Sequence, residues 1–292
     1  MHGHGEREPL AVTDAVRRAE PVLVPVDATA SEAFAVIVAE CTAQWRANVA
    51  GVVEGRDVES LHQTRVGIRR LRSAFSLYHA LLRREPEVVA AAAELRARAL
   101  PLGRARDLDV LLAGPAVGGL AEAQIAALGA LRESAYDEVA GLLTGAAWTS
   151  LAERIDDLAA AGRWRYSPDP PARTLAGAAL ERRWARVIRR GAGLRDLPAA
   201  RRHSVRIEAK KLRYGSQFFA SLYAGSPGTD PLVLAEVVAT LQDALGELND
   251  VATARTLLAE VGAVAPEPDT GPLLEAAVVA WAEVAVLAPF WR

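Results

Sequence analysis

Sulfur and lysine are nearly missing from this chain of 292 residues. There is one cysteine, Cys41, and one methionine. A single cysteine excludes an intramolecular disulfide framework and any cysteine-rich zinc site. Only two lysines occur among the 34 basic residues, and they are adjacent, Lys210 and Lys211. With abundant alanine beside them, the arginines reflect a biased composition, so their number says little and their positions must carry the argument. Long uncharged hydrophobic runs are missing as well. The most apolar stretch, Leu273 to Trp291, contains Glu275 and Glu283, each expensive at a bilayer centre. It reads as a buried helix. The first residues, Met1-His2-Gly3-His4-Gly5-Glu6-Arg7-Glu8, have no apolar stretch of the signal-peptide kind. A cytoplasmic location is the expectation.

Charge of one sign is also lacking overall, since the formal net charge is −2. That average conceals a strong segregation. Between Arg182 and Tyr214 there are twelve Arg and Lys against two acids, Asp196 and Glu208. A local excess of cations inside a near-neutral chain suggests a localised anion site.

Residues 1–27 contain prolines at 9, 21 and 25 and show no sustained period, so they read as a tail or a short extended arm. The rest reads as helix, with no alternating β-branched run bounded by turns, and the fold class is all-α. Ser31-Glu32 can cap a helix to about Glu54, and Asp57 a second one to about Arg84, stopped before Pro86. A third is expected from Glu87 to Leu100, broken by Pro101 and Gly103. Shorter runs fit 105–113, 120–144 and 148–161. Ser167-Pro168-Asp169-Pro170-Pro171 is the clearest internal boundary, dividing the chain into halves of about 28–166 and 167–292. Helices then fit 172–192, 199–224, 231–246, 248–261 and 272–288, with Asp230-Pro231 a strong start signal.

The halves carry matching motifs. His62-x2-Arg65-x3-Arg69-Arg70-Leu71-Arg72 pairs with His203-x2-Arg206-x3-Lys210-Lys211-Leu212-Arg213, offset by 141 residues. About forty residues later, Leu102-Gly103-Arg104-Ala105-Arg106-Asp107 pairs with Leu245-Gly246-Glu247-Leu248-Asn249-Asp250. Two elements in the same order at nearly the same spacing indicate duplication. On a helix, His62, Arg65, Arg69 and Arg72 form one stripe, and Ile68, Leu71, Phe75 and Tyr78 face elsewhere as core. The second half repeats this with His203, Arg206, Lys210 and Arg213 above Ile207, Leu212 and Phe218. A lone arginine stripe in an arginine-rich chain is ordinarily a solvated or carboxylate-paired face. Its duplication, with the only lysines at matched positions, favours a ligand.

The motifs resemble those of the conserved-histidine α-helical (CHAD) domain family. The similarity rests on His62/Arg65/Arg69/Arg70/Arg72, on His203-x2-Arg206-Ile207-x2-Lys210-Lys211-Leu212-Arg213-Tyr214, on Arg106-Asp107-Leu108-Asp109-Val110, and on Leu241-Gln242-x2-Leu245-Gly246-x2-Asn249-Asp250. It spans about residues 28–290. The resemblance implies two four-helix bundles about a pseudo-twofold axis, with a basic groove or pore that binds inorganic polyphosphate. It also implies a stand-alone binding form, because Glu6-Arg7-Glu8 lacks the lysine of the Glu-x-Glu-x-Lys element of fused triphosphate-processing domains.

The chemistry points the same way. Polyphosphate offers dense charge and many oxygen acceptors, which arginine forks and lysine point charges match. A nearby polyanion favours protonated histidine, so His62 and His203 are expected as cationic donors. Arg104 and Arg106 can extend the surface, while Asp107 and Asp250 orient arginines or cap helices. No cofactor is implied. Three other readings compete. A metal at His62 and His203 would need a third ligand, and His79, 17 residues from His62, falls on another face of its helix. A phosphate hydrolase would need a Gly-rich loop or a magnesium-holding acid cluster, and neither motif is present, so binding without catalysis is expected. Nucleic-acid binding is the main alternative, but Tyr214 is the one aromatic inside the motifs, and Trp45, Trp148, Trp184 and Trp281 sit in apolar contexts. Association with polyphosphate granules and regulation of phosphate metabolism are the roles this reading suggests.

Overall fold

The computed structural model describes residues 16–161, 169–264 and 269–292. Among these the chain is all-α, with no strand and one isolated bridge, Thr29 to Pro171. The first half comprises α1 (Ala30–Ala47), α2 (Val49–Val53), α3 (Val58–Leu77), α4 (His79–Leu82), α5 (Pro86–Arg98), α6 (Leu100–Ala113), α7 (Glu122–Thr144) and α8 (Ala146–Ala161). The second comprises α9 (Ala172–Gly191), α10 (Ala199–Phe218), α11 (Pro231–Glu260) and α12 (Gly271–Val286). Ser167 and Pro168 of the expected boundary, and residues 1–15 of the expected tail, lie outside the described residues.

Local chemistry explains the ends of the helices. Asp57 accepts the Ser60 N–H at 2.6 Å and starts α3. Asp230 accepts the N–H groups of Leu232 and Val233, with Pro231 at the first turn of α11. The cap of α1 is Thr29 rather than Ser31, in a reciprocal capping box with Glu32. Ser31 instead bonds Asp169, which ties the start of α1 to the segment before α9. Pro101 does not break a helix; it sits in the first turn of α6, where its missing N–H has no intrahelical role. The expected break after Gly246 is also absent, because α11 runs unbroken from Pro231 to Glu260.

The two halves share one apolar core. Helix α3 packs on α10, α1 on α9, and α6 on α11. A Cβ at Gly215 of α10 would lie 2.9 Å from Leu180 and 3.2 Å from Leu77, so the absence of a side chain there lets α3, α9 and α10 close together. Ile68, Leu71, Phe75 and Tyr78 are buried as expected, as are Leu212 and Phe218, and so are Trp45, Trp148 and Trp184. Ile207 is not: it is 38% exposed, because the buried face of α10 runs through Val205, Glu208, Ala209 and Leu212. Residues 16–27 form the extended arm. Val22 and Val24 bury in the core, and Val24 exchanges two backbone hydrogen bonds with the Ser221 hydroxyl in the other half. Burial raises the Cys41 thiol to about 12, which leaves it inert. No described helix is long and apolar enough to cross a membrane.

Candidate anion-binding cleft

Helices α3 and α10 are both 20 residues long and start 141 residues apart, matching the motif offset. Their contact brings the two stripes to one cleft of about 300 Å³. Arg65, Arg69 and Arg72 enter it from α3, and Arg206 and Lys210 from α10. Asp107 of α6 and Asn249 and Asp250 of α11 complete the polar lining.

The second repeated element has a steric role here. A Cβ at Gly103 would stand 3.2 Å from Nη1 of Arg65, and one at Gly246 would stand 3.4 Å from Nη2 of Arg206. Each glycine thus leaves the room in which the stripe arginine of its own half lies. This accounts for a glycine in mid-helix at 246, where propensity disfavours it.

Charge in the cleft is left largely uncompensated. Among the described residues, none of the five cationic side chains forms a salt bridge, and Nε of Arg69 and of Arg206 is buried without a hydrogen-bond partner. Elsewhere arginines are paired: Arg46 with Asp156, Arg56 with Glu133 and Asp137, Arg132 with Asp109, Arg292 with Glu181. Burial, and then the charges of Arg69, Arg206, Arg65 and Arg72, lower the Lys210 ammonium to about 7. Burial and Arg69 bring Arg65 to about 10, so it stays charged, with Asp107 opposing the shift. Arg206 is lowered by burial, with Asp250 opposing. The Asp107 carboxyl is raised by burial and by Asp250, against the pull of Arg65 and Arg206. One carboxylate from each half therefore moderates a field that remains strongly positive.

The histidines flank the cleft and differ. His62 is half-buried, and burial followed by Arg106 and Arg69 lowers it below its ordinary value, which disfavours its cationic form until an anion is present. His203 is exposed, its Nδ1 3.1 Å from Oδ1 of Asn249. Arg106 and Asn249 are matched positions, so each histidine meets the same point of the second element.

Five expected site residues stand elsewhere. Arg70 is 3% exposed and points into the core, donating to Gln44 Oε1 at 2.7 Å and to the Glu20 carbonyl. Adjacent positions on a helix are about 100° apart, so Arg69 and Arg70 cannot share a face. For the same reason Lys211 turns away from Lys210 and reaches Glu208 at 3.4 Å. Tyr214 is buried against Phe218, and the Arg213 guanidinium lies over its ring rather than in the cleft. Arg104 makes a bidentate pair with Glu260 of α11. Arg96 of α5 is a cation that the sequence reading missed. It acts on Arg72 and has no repeat partner to single it out. No three His, Cys, Asp or Glu residues among those described are grouped to hold a metal.

Comparison with known proteins agrees with this architecture. The CHAD domain profile matches residues 36–259. The crystal structure of the CHAD domain from the plant Ricinus communis is similar, with TM-score 0.72 and 28% identity over 93% of this chain and 92% of that one. No curated protein matches the chain. On the profile match and this structural likeness, the chain belongs to the CHAD domain family.

Proposed function

We propose that this protein binds inorganic polyphosphate in the cleft between α3 and α10 and does not cleave it. The observation that carries the reading is the convergence of Arg65, Arg69, Arg72, Arg206 and Lys210, all without salt bridges among the described residues, on one cleft. Like charges held together in partly buried positions destabilise the fold unless an anion arrives. A chain of phosphates supplies charge at close spacing and acceptors for each guanidinium fork. Among the described residues the cleft lining has no aromatic ring, so bases find no stacking platform there, and this disfavours nucleic acid as the natural ligand. The same binding would place the protein on polyphosphate granules. The test is a titration with long polyphosphate in the presence of excess single-stranded and double-stranded DNA. Polyphosphate binding that DNA does not displace is expected. Loss of polyphosphate binding in the presence of that DNA overturns the reading.

A further inference from the structure

A second basic pocket, of about 490 Å³, lies beside another face of α10. His79 and Arg83 line it from α4 and its C-terminal end, Arg182 and Arg186 from α9, and Lys211 from α10. Among the described residues no carboxylate lines it. Beneath it Glu208, 3% exposed, is a counter-charge shared by four cations among the described residues. Arg183 reaches it at 3.0 Å, Arg190 and Lys211 at 3.4 Å, and Arg186 at 3.7 Å. Arg83 and Arg182 have no carboxylate partner among the described residues. Arg183 is not free for a ligand, since it also donates to the backbone carbonyl and hydroxyl of Ser76.

The cleft and this pocket share a face of α3. Residues 69, 72 and 76 follow each other at helical spacing on α3, so they share a face. Arg72 lines the first cleft and Ser76 the second pocket, about 6 Å apart along the axis at 1.5 Å per residue. The corresponding place in the other half is filled by the protein itself. The motif offset pairs Lys211 with Arg70 and Ala80 with Ser221. Arg70 lies under the 16–27 arm, bonded to the Glu20 carbonyl, and Ser221 is bonded to Val24. One half covers its cation with its own backbone; the other leaves its cations open.

We infer that the Arg83/Arg182/Arg186/Lys211 pocket is a second site for condensed phosphate, separate from the cleft. Its occupant is either a short free chain or the overhang of a long chain held in the cleft. The inference rests on the reading of this protein as a polyphosphate binder.

The experiment is calorimetric titration of the full chain with inorganic tripolyphosphate and with long polyphosphate. Two variants are compared with the parent: Arg182→Ala/Arg186→Ala, which keeps the Arg183–Glu208 pair, and Arg69→Ala/Arg72→Ala in the cleft. Arg182→Glu, at an exposed position without a carboxylate partner among the described residues, repeats the test should loss of Arg186 loosen α9, and circular dichroism checks folding. Two tripolyphosphates per parent chain are expected, and one for each double variant. A drop of tenfold or more in long-chain affinity in Arg182→Ala/Arg186→Ala identifies the overhang. Unchanged long-chain affinity with one tripolyphosphate lost identifies the short free anion. If that variant and Arg182→Glu bind both ligands as the parent does, while Arg69→Ala/Arg72→Ala loses binding, the second site is wrong and the cleft stands. If the cleft variant also binds like the parent, the polyphosphate reading itself fails.

Discussion

Replacing Lys210 with methionine separates what the cleft does for the ligand from what it does to the fold. The methionine keeps most of the apolar stem and removes the ammonium. In the fold that ammonium stands at about 7 against an ordinary 10.5. At about 1.4 kcal/mol per pH unit, the gap makes the charged form unfavourable by about 4–5 kcal/mol. At pH 7 roughly half the folded molecules are already neutral, and the neighbouring guanidinium groups can relax, so the substitution should stabilise the ligand-free protein by about 2–4 kcal/mol. The sign of the pH dependence follows. Between pH 7 and 10.5 the unfolded chain holds a proton at Lys210 that the folded chain has released, so parent stability rises with pH across that window. The variant lacks this contribution, and its advantage should vanish near pH 10. Urea unfolding at several pH values measures both. Binding should move the opposite way: phosphate restores the proton, so the parent takes up protons near pH 7–8, which appears as a buffer-dependent heat. In Lys210→Met this uptake should shrink and affinity should fall at least tenfold. A variant less stable than the parent at pH 7, or an advantage that does not change with pH, would refute the reasoning.

Other substitutions divide the arginines by role. Arg70→Ala leaves Oε1 of Gln44 without its buried donor and removes the cation facing Glu40; unfolding free energy should fall by about 2–4 kcal/mol, with little change in the salt dependence of binding by the molecules that remain folded. Arg104→Ala breaks a partly exposed pair with Glu260 and should lower stability by less than about 1 kcal/mol while leaving polyphosphate affinity intact; a large loss of affinity would put Arg104 back in the site. Gly103→Ala and Gly246→Ala place a methyl group against Arg65 and Arg206; melting temperature should hold or rise, since alanine favours helix, and affinity should drop several-fold as the guanidinium groups are displaced. Unchanged affinity in both would remove the steric role given to these glycines.

The sequence signalled the elements whose ends are marked by chemistry of a few residues. Asp57 and Asp230-Pro231 start helices where expected, and the repeated stripe identifies both α3 and α10. It misled where a residue answers to something distant. Gly246 looks like a helix end and is instead the space for Arg206; Pro101 looks like a break and is the first turn of α6. Arg69 and Arg70 are indistinguishable as letters, yet one faces the cleft and the other the core, because one position turns the helix by about 100°. Ile207 looks like core by its residue type, but at the motif offset it matches Val66, while Ile68 matches Ala209, and it is the arc through Ala209 that the partner helices of α10 bury. The arm at 16–27 carries no period at all, and only the tertiary contacts with Asn48 and Ser221 show that it is held in place.

The central claim is that cations from both halves grip one polyanion together, and the salt dependence of affinity tests it directly. Parent, Arg69→Ala, Arg206→Ala and the double variant are titrated with polyphosphate over a range of salt concentrations. The account predicts a steep fall of affinity with salt for the parent, a slope reduced by about one for each arginine removed, and similar losses from either half. If affinity and slope in the folded double variant equal those of the parent, the cleft is not where polyphosphate binds.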